Sequence, residues 1–384
     1  MTDRTAEAVL AGSVTSTQAK FPATLDIESA AELDFWRAAA PELWGMQVTI
    51  VADGARICDW SGKFARPAQS VDQRTVFSAW LDHFVRQGGN VELVGDLGLR
   101  TIDDGAGRDD LTVVTRGSRE VLACFPIDDS WNLSSRPLRQ LSVLYLDGVA
   151  PHPERLGHYL ALPGIGEIIS YAALTGPPGR ERACEILLFE AIPGQALDVF
   201  DSSGDATERL RQARRLLDEH IPPDIADRYR HADLTDAGAT LVGAVTPHVR
   251  QAVGTLPSGR SVLGGGDVVV RMDPGGAQGA NNAVHCAATY AQRIVAGVGD
   301  TNDREWMMAT AEPWLTGVAY PAARWTMTVL EPPAPLQELM LTAAGNSALA
   351  DAFVNVFVRP ANLPGLLENA ESSSARTALK GAAD

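Results

Sequence analysis

Cysteine is scarce and never closely paired: Cys58, Cys124, Cys184 and Cys286 stand far apart, with no CxxC spacing. That pattern excludes a structural zinc site and a disulfide framework. The expectation is four small buried hydrophobes in a reducing compartment. Positive charge is also short, since 32 Lys and Arg against 48 Asp and Glu leave a net charge of -16. No basic cluster is present to meet nucleic-acid phosphates. No apolar run reaches membrane-spanning length, and the opening MTDRTAEAVLAGSVTST lacks the basic region and apolar core of a secretory signal. The seven histidines are scattered, without the spacing of a metal site. These absences point to a cytoplasmic, soluble protein with no metal, no nucleic-acid partner and no membrane partner.

The 384 residues, 45% hydrophobic and 21% charged, suffice for two packed domains or one large α/β unit carrying an inserted sheet. A helix is expected around Ser29–Trp36, and a strand pair in MQVTIVAD (46–53) and ARICDWS. QSVDQRTVFSAWLDHFVRQGG sets Val71, Phe77, Trp80, Leu81, Phe84 and Val85 at helical spacing before a Gly88–Gly89 stop. NVELVG and DLTVVTRG (110–117) then read as strands, giving the alternation of an α/β layer. From about Leu138 to Asp201 the pattern changes to QLSVLYLDGV, GEIISYAAL and CEILLFEAI between Pro/Gly turns, which is the mark of a mainly antiparallel sheet. Asp205 and Glu208 stand at capping spacing before a helix that ends at Pro222–Pro223. The expected division is 1–135 with 236–300 as one split unit, 136–235 as a β-sheet unit, 301–370 as helices, and 371–384 as a disordered tail.

One loop stands out. RMDPGGAQGANNA (271–283) places an Asp–Pro turn, three glycines and three side-chain amides between the apolar run SVLGGGDVVV and a helix. That helix sets Val284, Ala287, Ala288, Ala291, Ile294 and Val295 on one stripe. Glycines remove Cβ obstacles, and a helix start offers unpaired N–H groups and a positive dipole end. Such a loop suits close backbone approach to an anionic or electron-rich ligand.

GGGDVVVRMDPGGAQGAN resembles the second FAD-binding segment of glutathione-reductase-type flavoprotein monooxygenases, and in particular the oxygenase subunits of styrene and indole monooxygenases. QSVDQRTVFSAWLDHFVRQGGNV, GTLPSGRSVLGGGD, AARWTMTVL and ALADAFVNVFVRP extend the resemblance over most of the chain. It implies an FAD-binding, Rossmann-like domain with an inserted substrate domain and C-terminal helices. By position, Gly266 and Asp267 correspond to the Gly-Asp pair whose acid bonds the ribityl chain. Asp273 and Pro274 correspond to the turn beside the isoalloxazine ring, and Gln278, Gly279, Ala280 and Asn281 to the amides at its pyrimidine edge. Arg74 resembles a family position near the cofactor.

Three departures accompany it. Ala277 stands where the family usually has glycine, and Ser13 where relatives often carry an arginine. There is no glycine before Gly12, so the GxGxxG turn that binds the ADP half of FAD is not in the sequence. The first FAD-binding βα unit is therefore expected to be incomplete, as though the family sequence began just after its second strand.

The implied chemistry is that of a two-component enzyme. A separate NADH-dependent flavin reductase would supply reduced FAD. Its C4a-hydroperoxide, formed with O2, would oxygenate an aromatic alkene, an indole-like ring or a sulfide. No catalytic side chain is assigned, because the flavin carries the chemistry. Family members of this type are often dimers, so a homodimer is among the expectations. The alternative is a truncated or degenerate homologue without activity that serves as a ligand-binding or partner module.

Overall fold

The computed structural model describes residues 2–368 apart from Asp96, Asn132, Val298 and Asn302; the tail 371–384, expected to be disordered, lies outside the described residues. The chain opens with α1 (Ala6–Leu10), capped by the Thr5 hydroxyl on the Ala8 amide, and α2 (Pro22–Ala30), whose first turn holds Pro22. The helix expected at Ser29–Trp36 is thus displaced: α2 stops at Ala30, and Glu32 turns left-handed at φ 56°. β1 (Glu42–Ala52) and β2 (Ala55–Gln69) form a hairpin over Asp53 and Gly54, whose positive φ values of 52° and 70° suit a tight primed turn.

α3 (Gln73–Arg86) starts on Asp72, which accepts from the Arg74 amide, and Gly88 at φ 89° follows its end. NVELVG, expected as a strand, contributes only a single bridge from Leu93 to Thr2; Leu93 is 55% exposed and has no face to bury. α4 (Leu99–Ala106), β3 (Val113–Val114) and α5 (Arg119–Ala123) follow. The strand expected over 110–117 contracts to β3, the only two of its residues in a strand pairing.

β4 (Gln140–Asp147), β5 (Gly157–Leu162), β6 (Gly166–Thr175) and β7 (Arg182–Ala191) come next, β5 lying in a stretch read as connection. α6 (Ala206–His220) is capped by Asp205, which accepts from the Glu208 amide at 2.7 Å. α7 (Pro223–Ala226), β8 (Asp233–Leu234), β9 (Thr240–Ala244), β10 (His248–Val249), β11 (Val253–Thr255), β12 (Ser261–Gly264) and β13 (Val270–Arg271) lead to α8 (Gly279–Val295). The C-terminal helices are α9 (Arg304–Trp314), α10 (Tyr320–Leu330), α11 (Ala334–Thr342) and α12 (Ser347–Val358). A π-turn at Leu315–Ala319 joins α9 to α10 just after Pro313, where the proline removes a helical donor.

The large sheet runs β2-β1-β5-β6-β7-β4-β8, with β9 also paired to β4. All of its pairs are antiparallel except β1 with β5, which run parallel from Met46↔Gly157 to Ile50↔Ala161. The hairpin β1–β2, within residues 1–135, therefore shares a sheet with strands from 136–235. Period-two alternation gives this sheet two apolar faces. Leu144, Leu146, Leu187 and Phe189 pack on Leu210, Ala213, Leu216 and Leu217 of α6. Leu141, Val143, Tyr159 and Leu188 face the opposite way, toward Trp325 of α10 and Phe353 and Phe357 of α12.

A second, small sheet, β11-β12-β3, has β12 parallel to β3. It is covered on one side by Ile102, Val121 and Phe125 and on the other by Cys286, Tyr290, Trp306 and Trp314. The stripe expected on α8 is only partly covered, with Ile294 and Val295 42% and 86% exposed. Among the described residues no helix is long and apolar enough to cross a membrane.

Candidate active site

A cavity of about 1180 Å³ lies where the large sheet, the small sheet and α8 meet. Ligand pockets commonly hold about 300–1,000 Å³, so there is room for more than one small molecule. Its walls differ in chemistry. Leu141, Val143, Tyr159, Ile169, Tyr171 and Leu188 present one apolar face of the large sheet. Elsewhere on its lining, Gly265, Gly266, Asp267, Gly279, Ala280 and Ala283 form a surface of small residues with one carboxylate.

That second wall is built by the turn after β12. The Tyr290 hydroxyl of α8 donates to the Gly264 carbonyl at 2.7 Å and ties helix to turn. A Cβ on Gly265 would stand 3.3 Å from the Cys286 sulfur, and Gly266 takes φ 56°, so backbone approaches both α8 and the cavity closely. The Asp267 carboxylate opens into the cavity and accepts no hydrogen bond from any described residue. Desolvation by the surrounding walls raises its pKa, against the pull of the Arg271 charge.

His248 lines the same wall and was not expected there. It pairs with Arg271 across β10 and β13, and its Nε2 lies 3.1 Å from the Asp267 carbonyl. Burial, then the Arg250 charge, hold the imidazole at about 4, so it is neutral at pH 7. Nothing local in TPHVR marks it.

The Asp–Pro turn divides its labour. Pro274 and Gly275 line the cavity, whereas Asp273, 2% exposed, faces inward and accepts from the Gly275 amide at 3.0 Å. A Cβ on Gly276 would meet the Thr326 side chain at 2.3 Å, which explains the glycine as a seat for α10. Ala277 takes φ 55°, ψ 31°. The backbone thus keeps at Ala277 the left-handed path that the expected glycine would take freely.

Gln278 donates from Nε2 to the carbonyls of Gly276 and Phe357, both at 2.8 Å, locking the loop to α12. Gly279 and Ala280 reach the cavity in the first turn of α8, where amides have no intrahelical acceptor and the dipole end is positive. The Asn281 side chain is spent on protein instead. It accepts from the Phe21 amide and the Thr24 hydroxyl and donates to the carbonyls of Ala19 and Ala277.

Arg74 is placed otherwise than as a solvated or cavity-lining group. Its guanidinium is buried between Asp72 and Asp236, at 2.7 and 2.9 Å, and also donates to the Gly12 carbonyl. Burial works against its charge, but the hydrogen bonds with Asp236 and Asp72 prevail and hold it firmly protonated. Its neighbour Gln73 reaches the cavity wall.

A glycine floor, an unpartnered carboxylate suited to a hydroxylated chain, and a helix start suited to an electron-rich ring edge together fit a flavin. The architecture is the FAD-binding fold of flavin-dependent monooxygenases. The flavin-dependent brominase Bmp2 superposes with a TM-score of 0.63 at 16% identity, covering 95% of this chain and 90% of that one.

Sequence comparison is more specific. Residues 117–228 match the family described as "Styrene monooxygenase A putative substrate binding domain". Styrene monooxygenase StyA of Pseudomonas fluorescens is 26% identical over 319 residues, 80% of this chain and 74% of that protein. A second StyA, from Pseudomonas sp, is 29% identical over 193 residues, 49% of this chain and 45% of its own length. The chain is thus similar to styrene monooxygenases over most of its length, most specifically in residues 117–228.

Proposed function

We propose that this protein is the oxygenase component of a two-component flavin monooxygenase, acting on a small aromatic alkene or indole-like substrate. The observation that carries this reading is the cavity itself, lined both by the glycine-rich turn with the start of α8 and by an apolar face of the large sheet. A cytoplasmic location and a separate NADH-dependent flavin reductase belong to the same proposal. So does a division of the chain in which the small sheet with α8 forms the cofactor unit and the large sheet, including β1 and β2, forms the substrate unit.

When bound, reduced FAD would supply the activated oxygen from O2. Asp267 would accept from the ribityl hydroxyls, and this added partner would offset the cost of its desolvated charge. The amides of Gly279 and Ala280 would hold the ring edge. Leu141, Val143, Ile169 and Leu188 exclude water and favour an uncharged aromatic substrate. His248 is neutral at pH 7 and brings no charge to the cofactor wall.

The test is a titration of the purified chain with oxidised and with reduced FAD, read by flavin fluorescence and absorbance. Incubation with reduced FAD, O2 and styrene or indole follows. Saturable binding with product formation is expected. Binding without product would leave a flavin-binding module, and no binding of either form would overturn the proposal.

A further inference from the structure

Next to the cavity, but not lining it, two carboxyl groups meet without a cation between them. Glu190 on β7 is fully buried, and neither of its oxygens receives a hydrogen bond from an N–H or O–H donor among the described residues. Asp273 is buried as well; its Oδ1 takes the Gly275 amide, and its Oδ2 has no such donor. The two carboxyls are close enough for each to act on the other's charge, and a hydrogen bond between them would require a proton. Contact with the loop is close, because a Cβ on Gly275 would lie 2.4 Å from Glu190 Oε2.

The surroundings explain why a cation does not serve instead. Glu190 lies opposite Glu167 across the β6–β7 pair, where two like charges would repel. Arg139 neutralises Glu167 through bonds of 2.6 and 2.8 Å, and donates also to the carbonyls of Leu330 and Leu138. Its fork is thereby committed, and Glu190 receives only its distant field. Tyr159 of β5 and Tyr171 of β6 feel the Glu190 charge from this face, Tyr145 of β4 and Cys184 of β7 lie in the same apolar cluster, and all four are buried.

Burial, then Asp273 and Glu167, push the Glu190 carboxyl well above the usual range. Burial likewise lifts Asp273 to about 6. The pair titrates as one unit, and burial together with mutual repulsion favours keeping one proton between them.

We infer that Glu190 is a positioning residue that works as a carboxylic acid: its proton, shared with Asp273, latches the 273–277 loop onto the large sheet. The latch joins the two walls of the cavity. It fixes Pro274 and Gly275, which line the site, through a single titratable hydrogen bond rather than an ion pair. A carboxylate at Glu190 would instead set two buried negative charges against each other and push the loop from its seat.

The latch itself is tested without flavin. Infrared spectra of the chain at pH 7.5 are expected to show the carbonyl stretch of a protonated buried carboxyl, lost in Glu190→Gln. Because both acids are lifted above their unfolded values, the folded state keeps protons that the unfolded state releases. Their stability contribution is therefore full below the unfolded carboxyl range and declines as pH rises through and beyond about 6. Glu190→Gln, whose amide can donate to an ionised Asp273, is expected to flatten the melting-temperature profile above pH 6. Glu190→Leu leaves Asp273 without its donor and should not show the same rescue.

Absence of the infrared band in the wild type, or identical pH profiles for wild type and Glu190→Gln, would overturn the inference. A second readout, oxidised-FAD affinity, rests on the proposed function: Gln should stay within about threefold of wild type and Leu should weaken binding about tenfold or more. If the wild type binds no flavin, the functional reading fails while the infrared band and the melting profile still decide the latch.

Discussion

The side-chain oxygen of Asn281, in the first turn of α8, accepts the backbone amide of Phe21 at 3.0 Å. With the Thr24 hydroxyl at 2.7 Å and two donor bonds to Ala19 and Ala277, one carboxamide fixes the N-terminal segment to the start of α8. All four of its hydrogen-bonding positions are used. Asn281→Ala leaves buried partners unpaired, and at about 1 kcal/mol per bond a loss of about 2–4 kcal/mol is expected. Urea unfolding measures it, with Asn281→Asp intermediate because it retains the acceptors alone.

Arg74 supports the fold more than the ligand. Replacement by methionine strands Asp72 in a buried position, and a loss of about 3–5 kcal/mol is expected from breaking such a pair. Lysine recovers only part, since it lacks the fork that serves Asp72 and Asp236 together. Denaturation midpoints of the flavin-free protein report this loss directly.

Asp267 is expected to behave oppositely. Its ionised form is desolvated without a hydrogen-bonding partner, so Asp267→Asn should leave stability unchanged or slightly higher at pH 8. Because the folded-state pKa is raised, any gain should shrink as pH falls toward the unfolded carboxyl range. Flavin affinity should drop about tenfold or more in the same variant, a separation that fluorescence titration beside thermal melting would reveal.

Ala277 holds a left-handed conformation that costs an L-residue about 1–2 kcal/mol. Ala277→Gly relieves it at the expense of greater chain freedom in the unfolded state, for a net gain of about 0.5–1 kcal/mol. Chemical denaturation is the check, and a loss of stability would mean that packing of the methyl group outweighs the backbone strain.

The legible parts of the site were those encoded locally. Gly266, Asp267, Pro274, Gly279 and Ala280 sit within one short run, and their places on the cavity wall follow from a strand, a turn and a helix start in order. The Asp205 cap was readable for the same reason. Arg74 was not, because its second partner, Asp236, comes from a distant part of the chain. Glu190 looked like one more polar position in an antiparallel strand, and only the sheet register set it against Glu167 and the loop. NVELVG had the composition of a strand but no neighbour to pair with, whereas β5 was hidden between turn residues and acquired its partners from β1 and β6.

The bracing of the loop by Gln278 on Phe357, and of β2 by Trp60 on the Met340 carbonyl, has a consequence for synthesis on the ribosome. Hydrophobic strands made early must wait for helices translated hundreds of residues later before their apolar face is covered. Such long-range closure is slow and leaves apolar surface uncovered meanwhile. Yield from a cell should therefore depend on chaperone supply and growth temperature more than on the equilibrium stability of the finished molecule.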